Sequence, residues 1–175
     1  MMFALRFFAL AALAVAWLIP SAVAGPADVR SVRRVLESVG VTQASSAIIF
    51  GQPMVSAELQ GLGFVAGLRR CQTGSDEMIF CEEVALKACL PLAADNDRLE
   101  LLEAANRYNL GRYAGKMFVE ESESIGSVVC TVVQFAFDED NSFGMDEAYI
   151  WSQALTDFRS FLTFEEIRVR DPSAL

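Results

Sequence analysis

The chain has 175 residues, of which 53% are hydrophobic, and it carries a net charge of −9 and no histidine. This length suits one domain with a sizeable core. The acidity argues against nucleic acid or an anionic lipid surface as a partner, because both attract clustered Lys and Arg. The missing histidine excludes catalytic triads of the serine–histidine and cysteine–histidine types, and it excludes the usual zinc sites.

The N-terminus has the order of a secretory signal peptide. Arg6 provides the basic start, residues 7–19 are an apolar run, and Ala22 and Ala24 occupy the small-residue positions of a cleavage site. Cleavage after Ala24 removes residues 1–24 and leaves 13 basic against 23 acidic residues, a net charge of −10. The alternative is an uncleaved membrane anchor, but a spanning helix needs about 20 apolar residues. We therefore expect a periplasmic or secreted protein without stable membrane insertion.

The mature chain begins with an amphipathic helix and continues into a run of strands. Apolar residues recur at helical spacing over residues 27–39, and Gly40 ends the pattern. Residues 46–90 then have the character of an antiparallel meander of about three strands. Its extended segments are residues 47–50, 54–59, 64–71 and 78–90. Residues 82–88 would also suit a helix.

The second half of the chain predicts a helix, two strands and a final helix. The first helix covers residues 97–109, and the cluster Asp95, Asn96 and Asp97 offers its N-cap. Residues 113–120 and 127–137 predict strands, and residues 145–162 a helix capped by Asn141 or Ser142. The prediction is a single α+β domain over residues 25–165, followed by a C-terminal tail, 166–175. Its order is α-β-β-β-α-β-β-α, with a twisted antiparallel sheet of about five strands and packed helices.

The last helix shows two apolar patches. The main stripe consists of Ala148, Trp151, Leu155, Phe158 and Leu162. A second patch, Ile150, Ala154 and Phe161, lies about a quarter-turn away. An apolar patch away from the core needs covering, so these three residues are a predicted interaction surface.

Four cysteines, Cys71, Cys81, Cys89 and Cys130, predict disulfides in an exported chain. Cys81 and Cys89 on one continuous strand would lie roughly 27 Å apart, too far for a bridge that needs Cα atoms within about 7 Å. Cys71 and Cys81 flank a turn symmetrically, so they can face each other across a hairpin. That pairing leaves Cys89 with Cys130.

No pattern of residues predicts catalysis or a cofactor. The acidic run at residues 138–142 resembles a calcium loop, but positions 6 and 12 hold Phe143 and Tyr149 where an EF-hand needs Gly and Glu. We predict no metal site and no cofactor, and we expect a protein without enzymatic activity.

Two amides interrupt an apolar helix face. Asn106 and Asn109 share a face with Leu99 and Leu102. A buried amide without a hydrogen bond costs about 1–3 kcal/mol. We expect the two amides to pin a strand end or loop to the helix; the alternative is a polar spot that faces a ligand.

The segment 106–112 resembles the YbjN-domain family. The family pattern of Asn, an aromatic residue and Asn, followed by Arg at the next strand, falls on Asn106, Tyr108, Asn109 and Arg112. The family usually has Trp at the position of Tyr108, and its gap to the Arg is one residue longer. The resemblance covers most of residues 29–161. It implies a fold like that of the type III secretion chaperones, a non-enzymatic role described as sensory-transduction regulation, and frequent dimerisation.

These observations predict an exported protein-binding module, chaperone-like or regulatory, whose partner is another protein or a second copy. The alternative is a periplasmic carrier of a small molecule or lipid that uses the face of the sheet.

Overall fold

The computed structural model describes residues 27–74, 79–111, 113–138 and 141–170. The predicted leader, residues 1–24, lies outside this part of the chain. Within it, three helices and six strands follow in the order α1 (Val29–Ser38), β1 (Thr42–Ile49), β2 (Gln52–Leu59), β3 (Leu62–Thr73), β4 (Ile79–Pro91), α2 (Arg98–Leu110), β5 (Lys116–Ser122), β6 (Gly126–Ala136) and α3 (Met145–Phe164). The fold is α+β, as predicted.

The six strands form one antiparallel sheet in the order β1-β2-β3-β4-β6-β5. This is one strand more than the sequence predicted, because β1 and β2 are separate strands joined by a two-residue turn. Phe50 and Gly51 form that turn with φ of 50° and 78°, the left-handed conformation that hairpin turns require. Residues 82–88, whose composition also suits a helix, lie in β4.

One face of the sheet carries the core. Along β2 and the first half of β3, alternate side chains are buried, and the strand register brings them to the same face as alternate residues of β4. They include Val55, Ala57, Phe64, Ala66, Leu68, Val84, Leu86 and Ala88. The helices cover this face: α1 packs against β1 and β2, α2 against β5, and α3 against β6 and α1. The ring of Trp151 on α3 lies 5.4 Å from that of Phe64.

The opposite face of the sheet has a more polar surface. Arg69 and Glu83, on neighbouring strands, approach to 3.5 Å. Lys87 donates a hydrogen bond to Glu120 across 2.6 Å, although β6 lies between their strands. These ion pairs mark the face that the described helices leave uncovered.

Both predicted disulfides are formed. Cys71 bonds to Cys81 between β3 and β4, and Cys89 bonds to Cys130 between β4 and β6. Each joins residues that lie directly opposite each other in the strand register. Strand β4 is therefore covalently tied to both of its neighbours in the sheet.

The helix ends agree only partly with the sequence. The N-cap of α2 lies within the predicted cluster 95–97, and it is Asp97, whose carboxylate accepts from the backbone N–H groups of Leu99 and Glu100. For α3 the predicted caps Asn141 and Ser142 are wrong: the N-cap is Gly144, whose N–H donates to the carboxylate of Glu147. The Glu147 carboxylate thus supplies one half of a capping box, while Gly144 has no side chain to accept from the first turn.

The chain after α3 returns to the sheet. The backbone at Ala93 and Arg168 is hydrogen-bonded, as is that at Pro91 and Arg170, so residues 168–170 of the predicted tail lie beside the end of β4. None of the described helices is both long and apolar enough to cross a membrane.

Candidate functional site

The predicted interaction surface on α3 is mostly buried inside the chain. Ala154 is fully buried and Phe161 is 7% exposed, whereas Ile150 is 39% exposed. The ring of Phe161 packs 5.1 Å from that of Tyr108 on α2. A helix that contacts the sheet on one side and a neighbouring helix on another buries a wider stripe than one row of apolar residues. The prediction that these residues form a free surface is therefore wrong for Ala154 and Phe161.

The two amides of the predicted motif have different environments. The side chain of Asn109 accepts from the N–H of Met117 and donates to the C=O of the same residue, both at 2.8 Å. It thereby pins the start of β5 to α2, as expected from the sequence. Asn106 is exposed. Arg112 lies outside the described residues.

The buried face of α2 is not the predicted one. Leu99 and Leu102, which share a face with Asn106, are 66% and 42% exposed. The buried residues are Leu101, Ala104, Ala105 and Tyr108. The helix has two apolar stripes, and its contact with β5 decides which of them enters the core.

Tyr108 is a core residue and not a surface group. Its side chain is fully buried, its ring stacks on that of Tyr113 at 4.4 Å, and it meets Phe161 edge-on. Burial raises the pKa of Tyr108 to about 12, and the nearby hydroxyl of Thr131 acts in the opposite direction. The aromatic position of the motif thus has a structural role.

The most exposed apolar group lies at the end of the first hairpin. Ile48 is 65% exposed, Ile49 is 44% exposed, and Phe50 at the turn is fully exposed. We call these three residues the hairpin end. Burying them on a partner would remove apolar surface from water, which stabilises a complex by about 25 cal/mol per Å² before the costs of association. The hairpin end is therefore a candidate contact site.

Strand β1 also presents an open backbone. It lies at the edge of the sheet and pairs only with β2 among the described strands. In a two-residue hairpin, Ile49 and Gln52 form the hydrogen-bonded pair next to the turn, and such pairs alternate along the strand. Ser46 and Ile48 therefore direct their N–H and C=O groups outward. We call this outward row the β1 edge.

The sequence did not predict the hairpin end and the β1 edge as a site, although one pattern in it is typical of an edge strand. The run at residues 47–50 has the composition of a buried strand. However, residues 42–46 are polar on both faces of the strand apart from Ala44, and this pattern is typical of an edge strand. Only the position of β1 in the sheet shows that the apolar end is exposed too.

Two other features could bind ligands. A cleft of about 850 Å³ between α2 and the end of α3 is rich in carboxylates, and ion pairs join Arg107 to Glu165 and Arg168 to Asp95 along its walls. Cys89, Glu120 and Cys130 bring potential metal-ligand atoms within 4.8 Å of one another. Both sulfurs of that group form a disulfide, so they offer no thiolate to a metal.

No family model matches the chain, and no curated protein matches it. A similar solved structure is the crystal structure of an uncharacterized protein from Methanothermobacter thermautotrophicus. The two chains share 8% sequence identity with a TM-score of 0.54, and the similarity covers 78% of this chain and 95% of the other. At this identity the likeness shows a shared fold alone.

Proposed function

We propose that this chain is an exported protein-binding module, chaperone-like or regulatory, with no chemistry of its own. It contacts its partner through the hairpin end and the β1 edge. The observation that carries the proposal is the conjunction of exposed apolar side chains with outward backbone groups on the same strand. Strand addition uses both features, since the backbone supplies affinity and the alternate side chains supply specificity.

Export is part of the proposal and is supported by the two disulfides. Cross-links of this kind persist in oxidising compartments such as the periplasm. Both bridges anchor β4, so they would hold the sheet rigid while an edge strand is engaged. The proposed location is periplasmic or secreted, with residues 1–24 as the cleaved leader. The resemblance to the YbjN-domain family, with its regulatory role, agrees with this proposal and remains a prediction.

The carrier alternative receives less support. A carrier of lipid needs an apolar face or cavity, whereas the uncovered face of the sheet bears the ion pairs Arg69–Glu83 and Lys87–Glu120. A protein-binding surface, in contrast, tolerates such charges, because the rim of a protein–protein interface is polar.

Site-specific photo-crosslinking tests the proposal. Benzoylphenylalanine in place of Phe50 keeps an aromatic ring at the hairpin end, and the same group at Leu110, which is 88% exposed, is the matched control. We expect a discrete heterologous adduct in the exporting cell from position 50 and none from position 110. Equal adduct patterns at the two positions, or no heterologous adduct at position 50, would refute the proposed function.

A further inference from the structure

We infer that a second copy of this chain pairs with the β1 edge, antiparallel and about a two-fold axis, so that two sheets join into one. The inference rests on the proposed function, since a second copy would occupy the β1 edge while the heterologous partner is absent. It requires an accessible row of backbone groups, the absence of electrostatic repulsion along the strand, and a register in which the strand matches itself.

The two edges of the sheet differ in accessibility. At the β5 edge, the Asn109 amide occupies both the N–H and the C=O of Met117. At the β1 edge, Ser46 and Ile48 have no such cover among the described residues. Exposed edges are templates for pairing with another chain. Since two-fold pairing uses the same edge of both copies, it closes at two copies.

Charge favours β1 as the place where two copies meet. The chain carries a net charge of −9, so most arrangements of two copies bring carboxylates together. Strand β1, Thr42–Ile49, contains no charged residue and no proline. It therefore lacks the lysines and prolines with which edge strands commonly prevent pairing, and a second copy can approach it without like-charge contacts along the strand.

The strand is self-complementary in one register. With Ala47 on the two-fold axis, Ser46 of each copy lies opposite Ile48 of the other, and their outward groups form antiparallel hydrogen bonds. Ser45 then lies opposite Ile49, so each large apolar side chain meets a small one. The irregularity between Thr42 and Ser45, where Gln43 has φ of 53°, limits regular pairing to residues 45–49. Such a short interface belongs with weak, concentration-dependent association.

Sedimentation velocity on the protein purified after export, over a wide concentration range, tests the inference. We expect a monomer–dimer equilibrium for the wild type. Ile48→Lys places a charge at the paired edge and should raise the dissociation constant at least about tenfold. Leu99→Lys is the matched control, because Leu99 is 66% exposed and Ile48 is 65% exposed, and it should dimerise like the wild type.

Amide hydrogen exchange supplies a second readout that does not depend on variants. The N–H groups of Ser46 and Ile48 should become more protected as the concentration rises, whereas that of Ala47, already bonded to β2, should not change. A wild type that stays monomeric at every concentration, an Ile48→Lys variant that dimerises normally, or a Leu99→Lys variant that does not dimerise would overturn the inference. Because the crosslinking experiment scores heterologous adducts, a monomeric protein would still leave the proposed function testable.

Discussion

Replacing Asn109 by alanine tests the role of the amide that joins α2 to β5. The substitution removes two hydrogen bonds of 2.8 Å to the backbone of Met117. At about 0.5–1.5 kcal/mol each, their loss costs roughly 1–3 kcal/mol. Alanine has the better helix propensity by about 0.5 kcal/mol, so we expect the free energy of unfolding to fall by roughly 0.5–2.5 kcal/mol.

Urea denaturation with the disulfides intact measures this change as a lower midpoint at an unchanged slope. Asn106→Ala is the matched control, because Asn106 lies one turn earlier on the same helix and is exposed. It should change the free energy of unfolding by no more than about 0.5 kcal/mol. Equal effects of the two variants would show that the amide at position 109 has no special role.

The remaining predictions concern the disulfides, one tyrosine and one glycine. Replacing the Cys89–Cys130 pair with alanines should lower the free energy of unfolding by about 4 kcal/mol, and replacing the Cys71–Cys81 pair by about 3 kcal/mol. The difference arises because the bridges close loops with sequence separations of 41 and 10. Thermal unfolding that ranks the two variants in the opposite order would contradict this prediction. Burial raises the pKa of Tyr108 from 10.0 to about 12. The contribution of this tyrosine to the free energy of unfolding is therefore fully present below pH 10 and is lost as the pH rises through about 12. The urea midpoint of Tyr108→Phe should not show this loss between pH 10 and 12, and a pH profile identical to that of the wild type would contradict the prediction. A β-carbon at Gly115 would lie 2.5 Å from a threonine hydroxyl, whereas at Gly63 it would meet open space, so Gly115→Ala should lower the free energy of unfolding by about 1–3 kcal/mol and Gly63→Ala should not lower it comparably.

Patterns that stay within one element were predicted well. The main stripe of α3, from Ala148 to Leu162, is buried throughout, because helical periodicity places these residues on one side whatever lies beside them. Local geometry also excluded a Cys81–Cys89 bridge, since a continuous strand keeps the two residues apart, and it favoured the hairpin pair Cys71–Cys81 that the structure shows. The N-cap of α2, which the sequence placed within residues 95–97, depends on the backbone of the next few residues alone.

Contacts between elements were predicted less well. The face of α2 that is buried and the fate of Ala154 and Phe161 depend on which neighbour each helix meets. Asn106 and Asn109 look alike in the sequence, yet only Asn109 lies within reach of the β5 backbone. The cap of α3 was misplaced because the loop before it presents several polar residues that could fill that role.

By itself, the sequence determined the class of the fold, nearly the whole order of its elements, the exclusion of a Cys81–Cys89 bridge and the buried side of α3, since each follows from periodicity or chain geometry over a short range. The tertiary structure decided that β1 lies at an open edge with Ile48 and Phe50 exposed, and that Asn109 binds the backbone of Met117 at the start of the other edge strand. An apolar strand has the same composition at the centre of a sheet or at its edge. Only the order of the strands in space decides whether its backbone groups are already paired or still available to a partner.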